Sequence, residues 1–252
     1  MTQQAKAERF RALHEGDPFV LPNPFDAGSA RVLEELGFEA LATTSSGFAF
    51  TLGRRDGEAT LDEVAAHVKS LVAATSLPVS VDLENGYDEP AQAFARVAAA
   101  GAVGGSIEDW DGARLYALDE AVDRVRAAVD AARRLPFPFM VTARAENHIR
   151  GHADLDDTIA RLQAYEAAGA DVLYAPGLQT TDEIRAVCDA LSKPVNVLAR
   201  PNLVAAEIFA AGAQRISVGG ALTWVAVDAF VTAAREIRYR GDFSGLDESS
   251  PF

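Results

Sequence analysis

Carboxylates and one guanidinium gather at three points of the chain, each directly after an apolar run: Asp82-Leu83-Glu84-Asn85-Gly86, Glu108-Asp109 and Arg144-Ala145-Glu146. If the run before Asp82 is a strand, alternation places Asp82 and Glu84 on one face and turns Leu83 away. Two carboxylates held side by side repel, so they call for a cation, a shared proton or an arginine. Glu108 adds a third oxygen donor from a neighbouring run. An all-oxygen set suits Mg²⁺, with Mn²⁺ as the alternative, better than zinc; Mg²⁺ keeps several waters, so some of these carboxylates would act through water. The plainer reading is that they cap helices and carry surface charge after turns. Arg144 ends the apolar segment FPFMVTAR, where a cation needs an anionic partner: Glu146, Glu108, or a ligand carboxylate held in two-pronged fashion.

A second group is rich in hydroxyls. Thr43-Thr44-Ser45-Ser46-Gly47 offers Ser46, backbone N–H groups and a glycine that lets an anion approach, although Ser and Gly leave strands in many proteins. The histidines His14, His67, His148 and His152 form no metal-binding spacing, and only His148, just beyond TARAEN, falls near these groups. Gly219-Gly220, after the eighth apolar run, stands where barrels often bind phosphate, and reads first as a tight turn. Cys188, in EIRAVCDAL, lies on the apolar side of a predicted helix and reads as a structural thiol; as the only cysteine it excludes an intrachain disulfide.

Such groups need a scaffold that brings strand ends together. Short apolar runs recur as FVLPN, EALATTSSG, PVSVDLENG, VGGSIED, FMVTARAEN, DVLYAPG, PVNVLARPN and RISVGG, and read as strands buried on both faces. Alanine-rich segments of helical period, such as TLDEVAAHVKSLVAATS and DDTIARLQAYEAAGA, separate them. Thr60-Leu61-Asp62-Glu63 is a capping box, and Gly37, Gly101, Gly169 and Gly212 stand where helices should end. Repeated βα units in 252 residues predict an α/β protein, a single (β/α)8 TIM barrel over residues 1–252 with its site at the C-terminal strand ends. A helix over Lys6 to Glu15 is predicted to cover the barrel bottom, and another, Ala221 to Arg240, to follow the last strand. The tail DFSGLDESSPF reads as a polar loop or a segment exchanged within an oligomer.

The net charge of -14 argues against a nucleic-acid partner, since a phosphate backbone is held by clustered Lys and Arg. It does not exclude an anionic ligand, which a metal and an arginine can meet locally. Hydrophobic residues at 49% and charged residues at 24% suit a chain with a sizeable core. No run approaches the roughly 18 apolar residues of a membrane span, and no apolar run follows the charges of MTQQAKAERF. A cytoplasmic protein with a small-molecule partner and no membrane association is expected.

In NPFDAGSARVLEELGFEALATTSSG, LGRRDGE, SVDLENGY and AAGAVGGSIED, and more loosely in TARAEN and PVNVLARP, the chain resembles the phosphoenolpyruvate mutase/isocitrate lyase superfamily. The resemblance implies a Mg²⁺ site, substrates that are 2-oxo acids or break down to them, and a homo-oligomer, dimer or tetramer, with an exchanged C-terminal helix. It implies that Ser46, Gly47 and Phe48 hold the substrate carboxylate and oxo group, that Asp82 binds the metal directly, and that Glu84 and Glu108 act mainly through metal-bound water. Asp56 would be a further polar residue of the site and Arg144 would contact substrate, so Arg144, Glu108 and Asp56 are the catalytic candidates.

The departures narrow the activity. Superfamily lyases that cleave isocitrate or methylisocitrate carry Lys-Lys-Cys-Gly-His after the fourth strand; here the stretch is Asp109-Trp110-Asp111-Gly112-Ala113-Arg114-Leu115-Tyr116, and the Asn-Ser pair of the mutases is missing too. Decarboxylation of an oxaloacetate-like acid asks least of such a loop, because CO2 leaves without removal of a proton, and Tyr116 or a water would return one. The expected function is therefore a Mg²⁺-dependent carbon-carbon lyase on a small 2-oxo acid. Carbon-phosphorus chemistry on phosphonopyruvate, and a protein that binds a 2-oxo acid without turnover, are the alternatives.

Overall fold

The strands are short because each needs only to cross the barrel wall. They are β1 (Phe19–Leu21), β2 (Leu41–Ala42), β3 (Val79–Asp82), β4 (Gly104–Glu108), β5 (Met140–Arg144), β6 (Val172–Tyr174), β7 (Val195–Leu198) and β8 (Arg215–Ser217). The structure is a computed structural model that describes residues 1–246. All strand pairs are parallel, in the order β1-β8-β7-β6-β5-β4-β3-β2. The seam between β1 and β2 is crossed by Ala42 N–H donating to Pro22 O (3.1 Å) and by Asn23 Nδ2 donating to Thr43 O (2.9 Å). A (β/α)8 barrel results, nearly closed, as the alternating pattern predicts.

Helices fill the connections: α1 (Gln3–Glu15), α2 (Ala27–Glu35), α3 (Ser45–Thr51), α4 (Leu61–Ala74), α5 (Pro90–Ala99), α6 (Leu118–Arg133), α7 (Leu155–Ala167), α8 (Thr181–Asp189), α9 (Ala205–Ala210) and α10 (Ala221–Arg240). The Thr60/Glu63 capping box forms at α4, and the four predicted helix-ending glycines, Gly37, Gly101, Gly169 and Gly212, all take positive φ. Alpha1 starts earlier than Lys6 because Thr2 caps it, accepting from Ala5 N. Its buried face, with Ala7 and Phe10, packs on Phe19, Val103, Met140 and Val172 at or beside the strand starts and so closes the barrel bottom. Burying Phe10 alone is worth about 2 kcal/mol.

Two elements differ from expectation. TTSSG does not extend the second strand: after Ala42 the chain turns into α3, whose N-cap Thr44 accepts from Gly47 N. The hydroxyl run is therefore the start of a helix over the barrel mouth. Alpha10 has the predicted bounds, but Thr223 is its only buried residue, while Trp224, Val225, Phe230 and Tyr239 are exposed. The tail reading falls partly on residues 247–252, outside the described residues. Cys188 is half-buried on α8, and burial pushes its thiol up to about 11, in keeping with a structural role. No helix among the described residues is long and apolar enough to cross a membrane.

Candidate active site

Strand register decides which charges meet. Asp82 pairs across β3–β4 with Ser106, and Glu108 pairs across β4–β5 with Arg144, which pairs in turn with Tyr174. Arg144 accordingly becomes the hub. Its Nη1 lies 3.0 Å from Asp82 Oδ1, and its Nη2 lies 3.0 Å from Glu108 Oε2 and 2.8 Å from Glu146 Oε1, to which Nε also donates at 3.0 Å. The guanidinium also sits over the Tyr174 ring, 5.2 Å from its centroid. Burial works against the charge of Arg144, but Glu146, Glu108 and Asp82 together hold it firmly protonated.

The carboxylates are in excess. Asp56, Asp82, Glu84, Glu108 and Glu146 gather around Arg144 and Arg150, whose Nη2 lies 3.1 Å from Glu146 Oε2 and 3.6 Å from Glu108 Oε1. Burial raises the Glu84 carboxyl to about 7, with Asp82 and Asp56 pushing the same way. Asp56 is raised by burial despite the hydroxyl of Ser45, and Glu108 stands well above the usual carboxylate range because it is buried. Glu84 reaches this cluster by a route that strand alternation does not describe. Beta3 ends at Asp82, and Glu84 turns the chain with φ of 50° while its carbonyl accepts from Glu108 N at 2.8 Å.

Among the described residues no three His, Cys, Asp or Glu side chains converge as a cage for an ion. Asp82 and Glu108 face each other across the Arg144 guanidinium, and Asp82 Oδ2 also accepts from Ser45 N at 3.3 Å. The donor chemistry nonetheless fits a hard cation: all donors are oxygens, and the Asp82 charge adds to burial in raising the proton affinity of Asp56 and Glu84, a repulsion that positive charge would relieve.

A cavity of about 170 Å³ runs down from these groups into the barrel, lined by Ser46, Asp56, Asp82, Arg144, Asn196 and Gly220 among others. A wider mouth of about 750 Å³, bounded by Glu84, Glu108, Trp110, Tyr116, Arg124 and Arg150, opens above it. Ser46 reaches the cavity from α3, with its Oγ 3.2 Å from Thr44 Oγ1. Gly220 leaves Ser46 its place, since a Cβ there would lie 2.6 Å from the Ser46 Oγ. Gly219 turns with φ of 55° while Val218 and Gly219 N–H both donate to Asn23 Oδ1, which makes Gly219-Gly220 the expected tight turn.

Gly47 and Phe48 are placed differently from Ser46. A Cβ at Gly47 would lie 2.5 Å from Thr223 Oγ1 and 2.6 Å from Thr44 Cγ2, so glycine there answers to packing of α3 against α10. Phe48 turns into the core and stacks on His67, ring centroids 4.0 Å apart, away from the cavity wall. His148 faces Glu183 at 4.0 Å and does not line the cavity. Tyr116 does line the mouth, with its hydroxyl accepting from Asn85 Nδ2 at 3.0 Å.

Asp109, marked in the sequence only beside Glu108, has a supporting role: it is buried, accepting from Glu146 N (2.7 Å), Tyr165 Oη (2.6 Å) and Arg161 Nη1 (3.0 Å), and so fixes Glu146 behind Arg144. Other residues of the site carried no signal of their own in the sequence. Arg150, Asn23 and Tyr174 come from loops and strand positions whose side chains meet the site only in three dimensions.

Residues 10–238 match the family model for phosphoenolpyruvate phosphomutase. A solved protein of Burkholderia cenocepacia J2315, named as a candidate lyase/mutase, is 53% identical, with a TM-score of 0.95 over 99% of this chain and 93% of that one. The oxaloacetate decarboxylase of Rhodopseudomonas palustris is 32% identical over 232 residues, 86% of this chain and 79% of its own length. A phosphonopyruvate hydrolase solved with oxalate and Mg²⁺ is 25% identical, with a TM-score of 0.88 over 100% of this chain and 92% of that one. The chain belongs to the phosphoenolpyruvate phosphomutase family, within the phosphoenolpyruvate mutase/isocitrate lyase superfamily.

Proposed function

We propose that this protein is a Mg²⁺-dependent carbon-carbon lyase that decarboxylates a small 2-oxo acid of the oxaloacetate type, with aldol-type cleavage of a related acid as the nearest variant. The observation that carries the reading is the excess of carboxylates around Arg144 at the cavity mouth, with Glu84 raised to about 7 by burial and by Asp82 and Asp56. The oxaloacetate decarboxylase and the Mg²⁺-bound relative support it.

Asp82 would hold the cation directly, with Glu84 and Glu108 acting through water. Bound there, Mg²⁺ would lower the cost of negative charge developing on a keto oxygen. The chain's own groups do the rest. Ser46, at the start of α3 on the cavity wall, donates to the substrate carboxylate. Arg144 and Arg150 offset part of the carboxylate excess, so that with the cation bound the mouth would accept an anion, and Asp56 orients the Ser45 hydroxyl beside it. Loss of CO2 removes no proton from carbon, so the remaining requirement is a proton for C3. Tyr116 or a water would give it; in support of Tyr116, it lines the mouth and its oxygen accepts from Asn85 Nδ2, which leaves its own O–H to donate.

Incubation with oxaloacetate and Mg²⁺ tests this. Pyruvate should form above the rate with Mg²⁺ alone and fall to that rate in Asp82→Ala. Carbon-phosphorus cleavage is the second reading, favoured by the phosphonopyruvate hydrolase relative, and phosphate release from phosphonopyruvate would reveal it. The exposed apolar residues of α10 support a homo-oligomer, in which Trp224, Val225 and Phe230 would be covered by another copy.

A further inference from the structure

A second cation lies deeper in the same barrel, and it lacks what Arg144 has. Arg215, the first residue of β8, is 4% exposed. Its Nε donates to Asn196 Oδ1 at 2.7 Å, its Nη2 donates to Thr142 Oγ1 at 3.1 Å, and its Nη1 lies 3.0 Å from His14 Nε2. All of these partners are neutral. His14 uses Nδ1 towards Phe10 O at 2.8 Å, which leaves Nε2 as an acceptor, and burial together with Arg215 lowers its pKa to about 3. Among the described residues no carboxylate pairs with Arg215, and burial pulls the guanidinium down to about 10.

A guanidinium carries five N–H groups. The contacts above use three of them, so two remain, in the wall of the 170 Å³ cavity. Buried charges are ordinarily paired, and a polar cavity beside an unpaired one is where the missing charge belongs. Thr142 strengthens the case: its Oγ1 accepts from Arg215, so its own proton is free to turn the same way.

We propose that Arg215 forms the floor of an anion subsite inside the barrel, distinct from the Arg144 cluster, which takes a small monovalent anion of halide or formate size through its two remaining N–H groups and the Thr142 hydroxyl. The site neutralises a charge that the fold otherwise holds with neutral groups alone. It does not depend on the reaction proposed above.

Crystals of the full chain soaked in bromide should show an anomalous peak within hydrogen-bonding reach of Arg215 Nη1 and Nη2. In solution, thermal melts at constant ionic strength set with gluconate should rise by about 4 °C when chloride, bromide or formate is present at tenfold excess over half-saturation. A response to formate alone would assign the site to carboxylates, and a response to the halides as well would assign it to small anions generally. Thr142→Val, which leaves the guanidinium in place, should raise the half-saturating concentration about tenfold; Arg215→Met should abolish the response, and the wild-type measurements stand alone if that variant does not fold. No peak at Arg215, together with melts that respond equally to chloride, formate and gluconate, overturns the proposal. Neither readout requires Mg²⁺ or turnover, so its failure is distinguishable from failure of the lyase reading.

Discussion

Arg144 Nη1 and Asp82 Oδ1 lie 3.0 Å apart, joining the end of β5 to the end of β3 across the intervening strand. The same guanidinium holds Glu108 on that intervening strand and Glu146 behind it. One planar group thus sets the spacing of three acids, which a flexible ammonium cannot do.

Replacing that group tests the arrangement. Arg144→Lys keeps the charge and loses the fork, and should lower kcat for 2-oxo acid cleavage about 100-fold while the protein remains folded. Arg144→Met leaves the buried Glu108 and Glu146 with only Arg150 as a cationic partner and should cost about 3 kcal/mol of stability, read from denaturant midpoints.

Metal removal should separate binding from folding. Chelation should abolish pyruvate formation and leave the far-ultraviolet circular dichroism unchanged, because the barrel closes through hydrogen bonds and apolar packing. Mg²⁺ or Mn²⁺ should restore activity in the wild type and fail to do so in Asp82→Ala.

Acid should weaken the fold through His14. Its pKa falls from the ordinary 6.5 to about 3 in the folded state, so the unfolded chain takes up the proton first. The stabilisation is therefore complete above pH 6.5 and is lost as pH falls towards 3, at about 1.4 kcal/mol per unit. Between pH 7.5 and 5 the wild type should lose about 2 kcal/mol more than His14→Gln does. Taking the difference between the proteins removes the opposite contributions of Glu84 and Glu108, whose raised pKa values favour the fold as pH falls.

The two glycines flanking Ser46 in space should fail differently. Gly47→Ala drives a methyl into Thr223 and Thr44 and should destabilise by about 1–3 kcal/mol, measured by thermal melts. Gly220→Ala presses on the Ser46 hydroxyl and the Trp224 indole, and should raise KM for the oxo acid about tenfold with a smaller loss of stability.

Light scattering on Trp224→Ser/Phe230→Ser should show smaller particles than the wild type, if the exposed face of α10 is covered in the assembly. Identical masses for the two proteins would count against that role for α10.

The sequence by itself determined the barrel, because two-face-buried strands alternating with capped, glycine-ended helices leave few other solutions. It also marked Asp82, Glu84, Glu108 and Arg144, since charge directly after an apolar run is legible wherever strand ends face a common mouth, and it offered Glu146 or Glu108, beside a ligand carboxylate, as the partner of Arg144; the structure pairs Arg144 with both acids. Only tertiary structure decided the rest. Glu84 joins the cluster through a left-handed backbone turn that alternation does not foresee, and Phe48 turns to His67 because TTSSG becomes a helix once Thr44 caps it. His14 and Arg215 are 201 residues apart and meet because α1 closes the barrel beneath β8. Strand periodicity is a local property of the chain, whereas barrel closure and register are set by packing among distant segments, and it is these that decide which buried charges find a partner.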